Sequence, residues 1–355
     1  MELEECLKEI YAHNQIINVK TSGSTGTPKV MQADKELMIN SSRMMCDYLK
    51  LVAADTALLC LPLDYIAGKM MVIRCIERQL RLVCVEPSGH PLRSGQTAKI
   101  CDYVFGKRAP VVTPGVPFPC DDTFDLVAMV PLQVYNTLRV DEERKRLMRV
   151  RHLLIGGGAV DDSLQKELKD FPNYVWSTYG MTETLSNIAL RRLNGPEASE
   201  WYRPYSSVEV SLNDEGCLVI DAPLVHEGRL VTNDMAVLGK DKITGRTLFR
   251  IIGRKGNVIN SGGIKIQIEE VERRLRPFMK APFVITRRAD RKFGEVVVLL
   301  TEQTDTEAAL EVCRRELPHY WVPKACVHTD HIPMTETGKP ARAEAERMAA
   351  ELIVK

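Results

Sequence analysis

No apolar run in these 355 residues approaches the roughly 18 that a membrane-spanning helix needs, because charges interrupt every candidate. An excess of charge of either sign is missing too. Forty-eight Lys plus Arg against 47 Asp plus Glu leave a formal +1, which gives no support to a binder of nucleic acid or anionic membrane, whose affinity rests on a basic field. There is no CxxC pair and no Cys/His cluster. The ten cysteines are scattered, mostly inside apolar runs such as LLC and RLVCVEP. They read as small buried hydrophobes in a reducing compartment, not as disulfides or zinc ligands. Repeats and low-complexity tracts are absent, and the acidic, amphipathic start MELEECLKEI is neither a secretory h-region nor an Arg-rich transit peptide. What is present is ordinary globular material, 45% apolar and long enough for two or three domains. The expectation is a soluble, cytoplasmic, multidomain protein.

Up to about residue 190, short apolar strands alternate with amphipathic stretches. Candidate strands are 17–21, 57–62, 81–87, 126–130, 152–156 and 174–180; candidate helices run over 35–50, 69–80 and 161–169. Pro131, directly after a strand, suits the first turn of a helix. The alternation predicts an α/β domain with a mostly parallel sheet covered by helices on both faces. From about Ser206 the texture turns β-rich: SSVEVSL, then Asn213-Asp214-Glu215-Gly216, then CLVID reads as a hairpin. A second break follows Gly253-Arg254. Beyond it a short strand, a helix over QIEEVERRL, the strand EVVVLL, a helix over TEAALEVCRREL and a strand near KACVHTD form a compact α+β unit. The predicted domains are 1–253, with a β-rich part over about 206–253, and 254–355.

Several loops carry residue types suited to a nucleotide. Thr21-Ser22-Gly23-Ser24-Thr25-Gly26-Thr27-Pro28-Lys29 follows a strand and is dense in N–H and O–H donors, able to wrap polyphosphate oxygens, with Lys29 adding a point charge. It is not a Walker loop, because two residues rather than four separate its glycines. Gly156-Gly157-Gly158-Ala159 lets a flat ring approach the backbone, although a plain glycine turn would look the same. In Tyr179-Gly180-Met181-Thr182-Glu183 the Tyr can stack on a purine, the Thr can bind an α-phosphate and the Glu can hold Mg²⁺; a helix start with a capping Thr is the bland alternative. Asp234 can accept from both ribose hydroxyls and Arg254 can pair with ribose or phosphate oxygens. Lys339 sits on the polar loop PMTETGK. Each is modest alone; their conjunction and order are not.

TSGSTGTPK, GGGA, YGMTET, VTND, GRKGNVINSGGIKI with EEVE, and PMTETGKPAR together resemble the ordered motif series of the adenylate-forming superfamily over almost the whole chain. Within it, PLDYIAGKMM, MTETLSNIALR and GRKGNVINSGGIKIQIEEVE are most similar to short o-succinylbenzoate–CoA ligases of menaquinone biosynthesis. The resemblance implies a large domain of mostly parallel sheets plus a β-rich subdomain, and a small mobile C-terminal domain. It implies ATP, Mg²⁺ and CoA, with a carboxylate activated as an acyl-adenylate and then passed to the CoA thiol. Lys339 would bridge the attacking carboxylate and the α-phosphoryl group, Thr182 would bind the α-phosphate and Glu183 the metal. The 21–29 loop would hold the β,γ-phosphates, Gly156–Ala159 with Tyr179, Gly180 and Met181 the adenine side, and Asp234 with Arg254 the ribose. Rotation about a hinge at 254–257 would present Ser261-Gly262-Gly263 to pantetheine. Gly256 stands where relatives commonly carry Asp, which removes a side chain that could fasten either orientation.

An acyl pocket for o-succinylbenzoate needs apolar walls and one buried donor or cation for the distal carboxylate. Candidates are Tyr65, Lys69, Ser186, Asn187 and Arg191; an exposed first helical turn is the alternative for Lys69. Other aryl or acyl carboxylates, an aminoacyl-adenylating enzyme and a degenerate nucleotide-binding homologue are rival functions. The intact Glu183, Asp234, Arg254 and Lys339 set argues against the last. The phosphate loop begins at Thr21, earlier than in most relatives. The expectation is a trimmed N-terminal scaffold whose apolar surface a compact fold or a partner subunit, a homo-oligomer included, must cover.

Overall fold

The computed structural model describes residues 1–20, 30–103, 109–334 and 340–352. They divide into two compact units. One comprises Met1–Ser211, Val219–Leu230 and Leu238–Phe249, the other Leu212–Leu218, Val231–Val237 and Arg250–Lys355. No helix among the described residues is long and apolar enough to cross a membrane.

The first unit opens with helix α1 (Leu3–Tyr11), begun by a capping box between Glu2 and Glu5. Strands β1 (Ile16–Lys20) and β2 (Val30–Asp34) follow. The expectation that β1 belongs to the parallel sheet is corrected here. It pairs antiparallel with β2 in a hairpin of its own, with Lys20 opposite Val30. Its alternating burial explains this, since a strand buried on one face only suits an antiparallel ribbon. The Asp34 carboxylate then caps α2 (Lys35–Leu49) by accepting from the Glu36 and Leu37 amides.

The main sheet is built from β3 (Thr56–Leu59), β4 (Arg81–Cys84), β5 (Thr97–Asp102), β6 (Val111–Pro117), β7 (Leu126–Met129), β8 (His152–Ile155), β9 (Tyr174–Met181), β10 (Ser186–Arg192) and β11 (Arg203–Pro204). Helix α3 (Ile66–Arg78) joins β3 to β4, α4 (Pro131–Leu138) and α5 (Asp141–Arg149) join β7 to β8, and α6 (Asp162–Leu168) joins β8 to β9. The strand order is β11-β10-β9-β8-β7-β3-β4-β5-β6. Strands β9, β8, β7, β3 and β4 run parallel, as the helical crossovers require. Antiparallel arms extend both edges. Leu58, Val127, Met129, Leu153, Ile155 and Val175 alternate along the strands and pack with Val134, Leu147 and Leu164 of α4, α5 and α6. A second core joins Ile17, Val19 and Ala33 of the hairpin to Met38, Met70, Ile73 and Leu185. Burying such side chains contributes about 1.5–3 kcal/mol each relative to exposure.

Strands β12 (Glu209–Leu212), β13 (Cys217–Asp221), β14 (Arg229–Lys240) and β15 (Thr247–Arg254) form a sheet in chain order. Its first two strands flank the expected Asn213–Gly216 turn, where the Gly216 amide donates to the Asn213 carbonyl. The second unit continues with β16 (Val258–Ser261), β17 (Ile264–Gln267), α7 (Ile268–Leu275), β18 (Phe283–Asp290), β19 (Gly294–Thr301), α8 (Thr306–Glu316), β20 (Ala325–His328) and α9 (Arg342–Leu352). Val297 and Leu299 pack with α7 and α8. Val298 and Leu300, one register step away, pack with Ala345 and Ala349 of α9. That last helix, which sequence periodicity did not reveal, presents little but alanine to its sheet.

Candidate functional site

In the first unit the motif residues gather on β8, β9 and the connections that leave them. Gly156–Ala159 follow the last residue of β8, and a Cβ at Gly156 would lie 2.5 Å from Thr178 Oγ1, so the glycine strand end and the next strand touch. Loops at the carboxyl ends of parallel strands are where α/β sheets bind ligands. Tyr179 is held edge-on by Phe249, with ring centroids 5.0 Å apart, and tilted against Tyr202 at 5.7 Å. The Tyr202 hydroxyl bonds Ser177 Oγ at 2.8 Å. These packed rings fix the Tyr179 plane.

Thr182–Thr184 is a single 3-10 turn at the tip of the β9–β10 hairpin, so the expected alternative of a helix start is replaced by a return strand. Thr184 Oγ1 accepts from the Met181 amide (3.0 Å) and donates toward the Ser186 carbonyl (2.8 Å). With Thr184 used inside the turn and Thr182 buried, Glu183 is exposed and carries no hydrogen bond or ion pair among the described residues. No group of three or more His, Cys, Asp or Glu converges among the described residues to cage a metal. A lone carboxylate fits Mg²⁺, which takes one or two carboxylates and fills its shell with phosphate and water.

The acyl candidates fare differently from one another. Lys69, expected either in the pocket or exposed on a first helical turn, is 1% exposed. Its ammonium pairs with Glu9 and donates to the Asn18 carbonyl at 2.9 Å. The charge is therefore committed within the fold. Tyr65 stands at the N-cap of α3 and bridges to Lys20. Arg191 donates to the Ser199 carbonyl (3.3 Å) and lies 5.5 Å from the Tyr202 ring centre. Ser186 and Asn187 share a partner absent from the sequence-based candidates, Arg74, whose Nη2 donates to Ser186 Oγ (2.8 Å) and Asn187 Oδ1 (2.9 Å). Its signal was legible: Arg74 is a single charge in the apolar run MMVIRCI. A cleft of about 380 Å³ lined by Trp201, Arg203, Lys240 and Asp241 contains none of these motif residues.

In the second unit Asp234 and Arg254 come together, Arg254 Nε donating to Asp234 Oδ1 at 2.9 Å, with the carboxylate nearly buried and the guanidinium half exposed. The proposed ribose readers thus form one polar patch. Gly256 lies in a 3-10 turn where an added Cβ would meet nothing within 4 Å. The fastening that its missing side chain would give comes from neighbours: Gln267 Nε2 donates to the Arg254 carbonyl (3.1 Å), and Asn257 bonds Glu269. Gly262 and Gly263, at φ 58° and 85°, make the two-residue turn joining β16 to β17. Positive φ at both positions explains the glycine pair without reference to any ligand. Residues 21–29 and Lys339 lie outside the described residues.

The sequence profile of the family described as AMP-binding enzyme matches residues 16–233, and the chain belongs to that family. It is 24% identical over 311 residues to the 2-succinylbenzoate–CoA ligase of Haemophilus influenzae, covering 79% of this chain and 58% of the relative. The chain therefore spans little more than half of that relative's length. A crystal structure from Dyadobacter fermentans, titled an acyl-CoA synthetase (AMP-forming)/AMP-acid ligase II-like protein, superposes with a TM-score of 0.58 at 30% identity, covering 98% of this chain and 91% of that one. The Bacillus subtilis o-succinylbenzoate coenzyme A synthetase, solved with ATP and magnesium ion, has the same fold. It matches with a TM-score of 0.67 at 19% identity over 92% of this chain and 69% of its own.

Proposed function

We propose that the chain is an ATP-dependent, AMP-forming acid–thiol ligase whose acid is o-succinylbenzoate. The observation that carries this is the β9–β10 tip, where a buried Thr182 and an exposed Glu183, without a partner among the described residues, stand together beside an aromatic-braced Tyr179. The relatives named above support the choice of acid. In the first step a carboxylate oxygen attacks the α-phosphorus of ATP and pyrophosphate leaves. In the second the CoA thiol, losing its proton, attacks the acyl carbon and AMP leaves. Two anions must meet in the first step, so positioning and charge neutralisation matter more than a general base. Thr182 binds the α-phosphate, Gly156–Ala159 and Tyr179 receive the adenine, and the Asp234–Arg254 pair reads the ribose. Lys339 and the 21–29 loop meet the reacting and leaving phosphates. Glu183 would hold Mg²⁺, which would neutralise phosphate charge when bound. Residues 254–257 are the pivot that presents Ser261-Gly262-Gly263 to CoA.

One observation favours a second reading. Lys69 is committed to Glu9, which leaves the distal carboxylate of o-succinylbenzoate without that cation and keeps another aryl or acyl carboxylate in play. The test is ATP–pyrophosphate exchange over a carboxylate panel, repeated with CoA to detect thioester. Exchange with o-succinylbenzoate supports the proposed acid. Exchange with benzoate or an amino acid alone moves the substrate elsewhere, and no exchange with any acid removes the ligase.

A further inference from the structure

Two amide side chains close over the 254–257 turn, and they meet at one carboxylate. Gln267 faces Val258 in the β16–β17 ladder, the first pair beyond the turn. Its side chain reaches back across the turn to the Arg254 carbonyl at 3.1 Å. The same nitrogen donates to Glu269 Oε2, while Asn257 Nδ2 donates to Glu269 Oε1. An ionised carboxylate only accepts, so Glu269 fixes both amides with their NH2 groups turned inward. It stands in the first turn of α7, where the helix dipole favours its charge.

The backbone leaves room for this arrangement at one point. Gly253 is buried with φ of 154°, and a Cβ there would fall 2.0 Å from Gln267 Nε2 and 2.6 Å from Glu269 Oε2. Any larger residue would push the amide and the carboxylate apart from the turn. Arg254 is therefore held at both ends, by Asp234 at its guanidinium (2.9 Å) and by Gln267 at its carbonyl. Turning within 255–257 carries that carbonyl away from β17 and breaks its bond, and it draws Asn257 off Glu269.

We infer that Glu269 is a positioning residue for the pivot: through Gln267 and Asn257 it holds the 254–257 turn in one setting, and so weights one step of the reaction against the other. This rests on the proposed pivot role of those residues. Glu269 touches no substrate.

The test compares Glu269→Ala, Glu269→Gln and Asn257→Ala with the wild type, using whichever acid of the carboxylate panel the wild type accepts. Two rates are read: ATP–pyrophosphate exchange, and CoA-dependent consumption of preformed acyl-adenylate. Backbone amide hydrogen exchange over 254–257 and thermal unfolding are followed alongside. Glu269→Ala should change the ratio of the two rates roughly tenfold, the scale of a lost hydrogen bond to a charged group, and should speed amide exchange across the turn. Glu269→Gln keeps one acceptor and should recover most of the ratio. Asn257→Ala leaves Gln267 on the Arg254 carbonyl and should shift the ratio by roughly two- to threefold. Both rates falling together at an unchanged ratio would overturn the inference, as would wild-type amide exchange in Glu269→Ala. Should Glu269→Ala fail to fold, an unchanged ratio in Asn257→Ala would overturn it. A wild-type chain that accepts no acid removes the proposed ligase and this inference with it. A wild-type chain that completes both steps, with the variants at its ratio, removes this inference alone.

Discussion

Helix α3 buries two cations and treats them oppositely. Lys69 is met by Glu9 and the Asn18 carbonyl, so its charge is cancelled where it lies and ties α3 to α1 and β1. Arg74, five residues on, has neutral partners only. A third basic side chain of the same unit, His152, takes another course. Burial, with Arg151 and Arg192 nearby, pushes its pKa down to about 4, and its Nδ1 accepts from Trp176 Nε1 at 3.3 Å, so it stays neutral. A cation that is paired, or never formed, is consistent with structure alone. The one whose partners are neutral among the described residues, Arg74, instead ties α3 to the first two residues of β10.

Four substitutions would break or sharpen that contrast. Glu183→Gln removes the carboxylate proposed to hold Mg²⁺, and it should lower ATP–pyrophosphate exchange on the order of 100-fold. Exchange near the wild-type rate would take Glu183 out of the proposed metal role. Glu9→Gln turns Lys69 into a second unmatched cation. It should destabilise the fold by about 3 kcal/mol, read as a lower urea midpoint, while the folded protein exchanges normally. A stable Glu9→Gln variant would mean that buried charges here need no partner.

His152 gives the pH arm. Its folded pKa lies below its ordinary 6.5, so the unfolded chain binds the proton first as pH falls. Its contribution is intact above pH 6.5 and is lost between pH 6.5 and about 4, at up to about 1.4 kcal/mol per pH unit. His152→Gln should flatten the dependence of the melting point over that window, and an unchanged slope would reassign it to other groups. The smallest effect is expected from Gly256→Asp, which enters open space. It should change thioester formation by roughly two- to threefold and adenylation less, since Asn257 and Gln267 already fasten the segment. Equal changes in both steps would count against a hinge role.

The parallel centre of the main sheet was legible because strand–helix alternation forces parallel neighbours, and Pro131 does open α4. The separate β1–β2 hairpin was not, since a five-residue apolar run looks the same in either setting until its partner is known. The Asp234–Arg254 contact was legible only as two motifs in order; nothing in 20 residues of spacing fixes a 2.9 Å ion pair. Arg74 was not legible as the partner of Ser186 and Asn187 because they are 112 and 113 residues away in sequence. Lys69 was drawn into the acyl pocket because its partner, Glu9, is 60 residues away in sequence.

The hairpin also bears on how freely the chain can change. Lys20 and Val30 face each other in the ladder, and Met334 and Pro340 form a bridge of their own. Each of the two intervening segments, 21–29 and 335–339, therefore departs from and returns to a point the fold has already closed. Doubling such a segment costs only about 0.6 kcal/mol in closure entropy. The flanking ladder and bridge thus set a small entropic cost for a longer connection at either point, so an insertion there is a way to probe the proposed phosphate contacts with the pairs on either side left in place.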